Sequence, residues 1–218
     1  MKIILEKGQN LFFTSDTHYS HKNICRGVTD WKNADDKTRD FVSLEEMNNT
    51  IVNNINAVVK EGDILVHLGD WSFGGFDNIL EFRRRINCKN IILTYGNHDH
   101  HILKNKNDVK YLFQKTTHYL NLEVISNPGT TLTSRYNFVC SHYPIVSWEN
   151  MNKGVIQLFG HCHLLPKDKL REGKAMDVGM DGSNNFFPYS LIDIITLMEK
   201  QPISTITIPQ DHHLNEVR

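Results

Sequence analysis

The chain has no run of apolar residues near the roughly 18 that a membrane span requires, and its opening Met1-Lys2-Ile3-Ile4-Leu5-Glu6-Lys7 has no sustained apolar segment of the leader type. No Cys-x-x-Cys pair occurs among Cys25, Cys88, Cys140 and Cys162, and their spacing fits no disulfide scaffold in a chain of 218 residues, so all four are read as reduced thiols. Net charge is equally scarce. With 24 Lys and Arg against 25 Asp and Glu the balance is −1, which excludes the broad basic footprint of a non-specific nucleic-acid binder while permitting a local positive site. These absences predict a cytoplasmic protein with no membrane partner and no extended nucleic-acid surface.

What is present in excess is histidine: twelve residues, several beside carboxylates, a composition that suits a metal site better than a core. The organising stretch is Tyr95-Gly96-Asn97-His98-Asp99, which follows the apolar run Ile91-Ile92-Leu93. A short apolar run that ends in a Gly-bounded polar cluster reads as a buried strand delivering a loop at its C-terminal edge. There Asn offers a neutral oxygen, His a proton donor and acceptor near neutral pH, and Asp a carboxylate able to orient that His. Alone, the string also fits an ordinary capped turn.

At 218 residues and 39% hydrophobic content the chain suits a single domain spanning 1–218, with no repeat and no linker. Lys2 to Leu5 and Asn10 to Thr14 read as strands joined by the turn Lys7-Gly8-Gln9. The second runs into Asp16-Thr17-His18, whose two-residue spacing puts Asp16 and His18 on one side of extended backbone. His21 to Asp40 is expected to be a loop with one short helical turn and Trp31 as its only large anchor. From it, His21 and Arg26 are placed within reach of a phosphate. Ser43-Leu44-Glu45-Glu46 is a capping box, and Met47, Ile51, Ile55 and Val58 follow at helical spacing up to Lys60, before Gly62.

Asp63 to Leu68 is the next strand and delivers Gly69-Asp70-Trp71. Phe76 to Ile86 reads as a helix burying Ile79, Leu80, Phe82 and Ile86, with Arg83, Arg84 and Arg85 fanned on a solvated face. The strand Asn90 to Thr94 is followed by a polar segment and a short helix over Val109 to Phe113. Tyr119 to Ser126, Thr131 to Ser134, Tyr136 to Ser141 and Val155 to Phe159 read as strands, with a turn at Asn127-Pro128-Gly129. A helix is expected from Ser190 to about Lys200, then a strand Ile203 to Ile208 and a loose tail from Gln210 to Arg218.

Asp70, His142, and His161 with His163 in Gly160-His161-Cys162-His163 each follow an apolar strand, so all can converge at one sheet edge. The ordered set Asp16-x-His18, Gly69-Asp70, Gly96-Asn97-His98-Asp99, His142 and Gly160-His161-Cys162-His163 resembles the calcineurin-like metallophosphoesterases over about residues 10 to 195. That resemblance implies a four-layer α/β/β/α sandwich of two mixed sheets flanked by helices. It further implies one metal held by Asp16, His18, Asp70 and His163, another by Asp70, Asn97, His142 and His161, and Asp70 as the bridge. Two divalent ions roughly 3.5 to 4 Å apart would hold a nucleophilic hydroxide and clamp the attacking and leaving oxygens of an in-line displacement. His98 is implied as the general acid, with Asp99 orienting it. Mn²⁺ is the expected metal, with Fe²⁺, Ni²⁺ or Zn²⁺ also suited to imidazole and oxygen donors. Cys162 is expected to face away as a small buried hydrophobe.

No arginine closely follows Asp70 and the third motif ends in Asp99 rather than Glu, which departs from the protein-phosphatase pattern. Together with Asp16-Thr17-His18-Tyr19-Ser20-His21-Lys22-Asn23-Ile24, this is similar to the small bacterial and phage-type members. It implies a phosphodiesterase acting on a small or nucleotide-type substrate, with phosphomonoesterase activity as the alternative and a non-catalytic metal-binding scaffold as the rival. Trp31, Trp71, His21 and Arg26 are the candidates for the substrate wall.

Overall fold

In a computed structural model the described residues are 1–32, 38–127, 130 and 133–204. The chain runs β1 (Lys2–Ile4), β2 (Leu11–Thr14), α1 (Leu44–Val58), β3 (Ile64–His67), α2 (Phe76–Arg85), β4 (Asn90–Thr94), α3 (His100–Lys104) and α4 (Lys106–Val109). It continues with β5 (Lys115–Thr117), β6 (Tyr119–Ser126), β7 (Ser134–Ser141), β8 (Ile156–Phe159), β9 (Leu170–Arg171), β10 (Ala175–Asp177), β11 (Tyr189–Ser190) and α5 (Leu191–Glu199). One sheet has the order β11-β2-β3-β4-β5 and the other β1-β6-β7-β8-β10-β9.

Three apolar layers build a four-layer α/β/β/α sandwich. Met47, Ile51 and Ile55 of α1 recur every four residues, so they form one helical stripe, and with Ile79 and Phe82 of α2 they cover Phe12, Leu65, Ile91 and Leu93 on the outer face of the five-stranded sheet. The opposite face of that sheet presents Leu11, Phe13, Val66 and Ile92 to Leu122, Val124, Phe138 and Leu158 of the second sheet, with Ile194 and Met198 of α5 joining them. A smaller cluster, Val139, Trp148, Met151 and Phe159, carries the short 3₁₀ turn Met151–Lys153 on the outer face of the six-stranded sheet. No helix among the described residues is long and apolar enough to cross a membrane.

Register positions the site. β2, β3 and β4 are parallel, with Thr14 opposite His67 and His67 opposite Leu93, so the loops that leave all three open at the same edge. β7, β8 and β10 are parallel as well, with Cys140 opposite Leu158 and Phe159 opposite Asp177. An isolated parallel bridge between Ser15 and Gly179 brings the two exit edges together.

β1 and β2 are joined by the expected turn at Lys7-Gly8-Gln9, which carries the chain from one sheet to the other. Several expectations change. The expected helix over Val109–Phe113 is replaced by α3 and α4 upstream, and Lys115–Thr117 continues the five-stranded sheet. The loop after His18 holds two short 3₁₀ turns, Lys22–Ile24 and Arg26–Val28; Trp31 is 43% exposed, and Ile24, Cys25 and Phe41 anchor the segment instead. Arg83 and Arg85 are half-buried braces: Arg83 donates to the Leu112, Ile86 and Lys89 carbonyls, and Arg85 to Tyr19 Oη and Asn49 Oδ1. Residues 128–129, 131–132 and 205–218 lie outside the described residues. So do most of the expected turn at Asn127-Pro128-Gly129, the start of Thr131 to Ser134, most of Ile203 to Ile208, and the tail.

Candidate metal centre

Two clusters of donor atoms face each other where the sheet edges meet. In the first, His18 Nε2 lies 3.1 Å from His163 Nε2, 3.8 Å from Asp16 Oδ1 and 3.4 Å from Asp70 Oδ2. In the second, Asn97 Oδ1 lies 3.1 Å from His142 Nε2 and 3.0 Å from His161 Nδ1, and His142 Nε2 lies 3.5 Å from Asp70 Oδ2. One carboxylate oxygen of Asp70 therefore belongs to both. The seven residues Asp16, His18, Asp70, Asn97, His142, His161 and His163 are gathered into one pocket.

Asp16 and His18 are expected to share one side of extended backbone; the backbone there is kinked instead. Asp16, His18, Asp70, His161 and His163 all have left-handed φ, between 47° and 68°, a region costly for side-chain-bearing residues. These five kinks follow the ends of β2, β3 and β8. Close approach also needs missing side chains: a Cβ on Gly160 would run into Ser15 Oγ and Asp16 Oδ2, and one on Gly96 into Asp70 Oδ1.

The donor set fits cations. Asp16 is fully buried, and its Oδ1 has no hydrogen-bond partner among the described residues; the same is true of His18 Nδ1. A buried carboxylate oxygen left unpaired beside imidazole nitrogens is costly unless a positive ion compensates it. Burial raises the Asp16 pKa, and burial next to His163 and Arg39 holds His18 well below its usual value, so His18 stays neutral and keeps a lone pair to offer. Neighbouring groups fix the tautomers. His142 Nδ1–H donates to the Leu68 carbonyl at 2.8 Å and His163 Nδ1–H to Asp181 Oδ2 at 2.8 Å, which leaves Nε2 of each turned to the centre.

Asp99 is corrected. Its carboxylate accepts from the amides of Asp70 (2.8 Å), Gly96 (2.8 Å) and Trp71 (3.0 Å), so it ties the Gly69-Asp70 loop to the Gly96-Asn97 loop and leaves the His98 ring to other neighbours. Burial, the largest influence, lifts its pKa to about 7 against the pull of those amides. His98 is half-buried, its amide donates to Asp70 Oδ1 at 2.9 Å, and its ring lies 5.2 Å from that of His18. His98 also falls with His18 and Asp70 in a group of potential ligands.

His21, 7% exposed, packs beside the first cluster, its ring 5.3 Å from that of His18. Its ring stands edge-on to Phe73 at 4.0 Å and 5.9 Å from His98, and its Nδ1 accepts from the Ile24 amide, so in the neutral ring the proton sits on Nε2. Burial and the neighbouring His98 lower its pKa to about 4. Arg26 has its guanidinium engaged by Thr38 and by Asp40, 3.2 Å away. Trp71 is fully buried against Phe82 and cannot form a substrate wall, while Cys162 is exposed rather than buried.

Sequence reasoning missed Arg39 and Asp181. Arg39, only 4% exposed, donates to the carbonyls of Asp16 (2.6 Å) and Thr17 (2.9 Å) and, through two nitrogens at 2.8 Å each, to both oxygens of Asp181. A lone arginine in a polar stretch and an aspartate after β10 gave no local signal. Phe73 and Tyr143 were missed too; the Tyr143 ring packs 4.7 Å from that of His161.

The chain is similar to known proteins in sequence and in fold. An archaeal relative, the uncharacterized protein MJ1445 of Methanocaldococcus jannaschii, is 29% identical over 198 residues, 88% of this chain and 93% of the relative. A crystal structure of AQ665 from Aquifex aeolicus, described as a protein of unknown function, superposes with a TM-score of 0.59 at 24% identity over 87% of this chain and 100% of that one, a likeness of fold. Residues 10–195 match the family model described as calcineurin-like phosphoesterase, and they take in every donor of both clusters. With donors for two metal ions carried on the sandwich expected for it, the chain belongs to the calcineurin-like phosphoesterases, whose fold and ligand clusters fit a metallophosphoesterase-type hydrolase.

Proposed function

We propose that the protein hydrolyses phosphodiesters, small or nucleotide-like, at a dinuclear divalent-metal centre, with Mn²⁺ as the metal and the cytoplasm as its location. Asp16, His18, Asp70 and His163 would hold one ion and Asp70, Asn97, His142 and His161 the other. The observation that carries this reading is Asp70 Oδ2, 3.4 Å from His18 Nε2 of one donor set and 3.5 Å from His142 Nε2 of the other. When bound, two such ions supply Lewis acidity at the phosphoryl oxygens and lower the pKa of attacking water.

The donors shape that site's charge. Two carboxylates against two divalent ions leave a surplus of about +2 to attract phosphate, and neutral Asn97 and the histidines preserve it. His98 would give a proton to the leaving oxygen, a role supported by its ring lying 5.2 Å from that of His18 and its amide donating to Asp70 Oδ1. His21 would offer Nε2–H to a phosphoryl oxygen.

Diester preference rests on the rim. His21 with its pKa near 4 is uncharged at neutral pH, Phe73 and Tyr143 are aromatic, and the buried arginine beside the centre, Arg39, is fully engaged by Asp181 and two carbonyls. A monoanionic diester with an apolar second ester group suits such a rim better than a dianionic monoester.

The metal-stripped protein reloaded with Mn²⁺ should release p-nitrophenol from bis-p-nitrophenyl phosphate faster than from p-nitrophenyl phosphate. His98→Ala should retain both ions and lose about 10²- to 10⁴-fold in kcat. Faster monoester release would reverse the preference. No release from either compound, with two ions bound, would identify a non-catalytic metal-binding scaffold.

A further inference from the structure

The two donor clusters are held in different ways. Asn97 and His161 of the second are exposed, and His142 is fixed by one carbonyl, that of Leu68. In the first, an ion pair between a buried arginine and a part-buried aspartate, neither offering an atom to either cluster, grips the loops on both sides. Arg39 binds the carbonyls of Asp16 and Thr17 from the five-stranded sheet, and its partner Asp181 accepts from His163 Nδ1, which belongs to the six-stranded sheet. The Arg39 Nε and Nη2 contacts to Asp181 are both 2.8 Å, a two-pronged arrangement that fixes the plane of the carboxylate as well as its position.

The consequence is geometric. Asp16 and His18 sit in left-handed backbone, which their own side chains disfavour, and the carbonyls between them are held by Arg39. His163, also left-handed, has its ring orientation and tautomer set by Asp181. One pair thus constrains three of the four donors around the first ion. Asp70 is held separately, through its amide, by Asp99.

Building on the dinuclear reading above, we propose that Arg39 and Asp181 are positioning residues dedicated to the first metal subsite, so that breaking their pairing weakens that subsite selectively and leaves the second filled. Asp181→Asn is the sharpest variant: an amide oxygen can still accept from His163 Nδ1–H, but the charge that holds Arg39 is gone. Loss of a carboxylate supporting a ligating histidine weakens metal binding by about 10- to 100-fold.

The test is metal content by elemental analysis after dialysis against graded Mn²⁺, with electron paramagnetic resonance to distinguish a coupled Mn²⁺ pair from an isolated ion. Wild type should bind two ions with a coupled spectrum. At a Mn²⁺ concentration that just fills both wild-type subsites, folded D181N should bind one and give the isolated-ion spectrum. Adding His142→Ala, which strips a donor from the second subsite, should leave the D181N/H142A double variant with none. Arg39→Lys keeps a buried positive charge but cannot grip two carbonyls and both carboxylate oxygens; it should follow D181N, and it carries the test if circular dichroism finds D181N misfolded. Two ions retained at wild-type affinity in a folded variant, or equal weakening of both subsites, would overturn the proposal. A wild-type protein that bound no ions would instead sink the dinuclear reading itself.

Discussion

Asp99 occupies the position expected to orient a catalytic histidine, yet both its oxygens accept backbone amides, two of them at the start of the Asp70 loop. The two roles separate experimentally. As a clamp, Asp99→Ala strands three buried donors, each costing about 1–3 kcal/mol. With about 2–4 °C of melting temperature per kcal/mol in a chain of this size, calorimetry should find a large drop, accompanied by loss of bound metal. Under an orienting role kcat would fall while melting temperature and metal content held, and that outcome would reject the clamp. At this scale the sequence is legible where a residue type is itself the chemistry: Asp70, Asn97 and the histidines are donors wherever the chain takes them. Arg39, Asp181 and Asp99 act by what they touch, and they touch residues up to 142 positions away, which no local pattern encodes.

Elements were legible in proportion to their length. α1 follows from its Ser43 cap and its four-residue stripe, and α5 from Ser190, which with Asp193 forms a reciprocal capping box. β5, β9, β10 and β11 have two or three residues each, too short for an alternation to register. Such short strands are specified by their neighbours: Asp177 pairs with Phe159, and Tyr189 with Phe13. Two substitutions should separate element stability from site assembly. Ser190→Ala removes a cap remote from the donors and should cost about 1 kcal/mol in denaturant unfolding with metal affinity unchanged. Gly160→Ala drives a methyl against Ser15 and Asp16 where the ends of β8 and β2 meet; it should cost a comparable or larger 1–3 kcal/mol, roughly, and weaken metal binding as well. If both variants bound metal like wild type, close packing of those strand ends would not be what builds the site.

Across the whole molecule the donors divide between the sheets. Asp16, His18, Asp70 and Asn97 leave the C-terminal ends of β2, β3 and β4, whereas His142, His161 and His163 leave β7 and β8 of the other sheet. Each proposed ion would therefore take ligands from both sheets and lie across the apolar interface that Phe13 and Phe138 form, their ring centroids 5.2 Å apart. Metal binding is then linked to the packing of one sheet on the other, because neither sheet alone presents a complete donor set. For one site at a free-ion concentration 100 times its Kd, binding to the folded state adds about 2.7 kcal/mol. In a chain of this size that is a shift of about 5–10 °C. Chelation should lower the melting temperature by at least this much, and hydrogen exchange should rise at the ends of β2, β3, β7 and β8 together. If exchange rose in one sheet alone, the ions would be bound by one layer and the cross-sheet centre would be wrong.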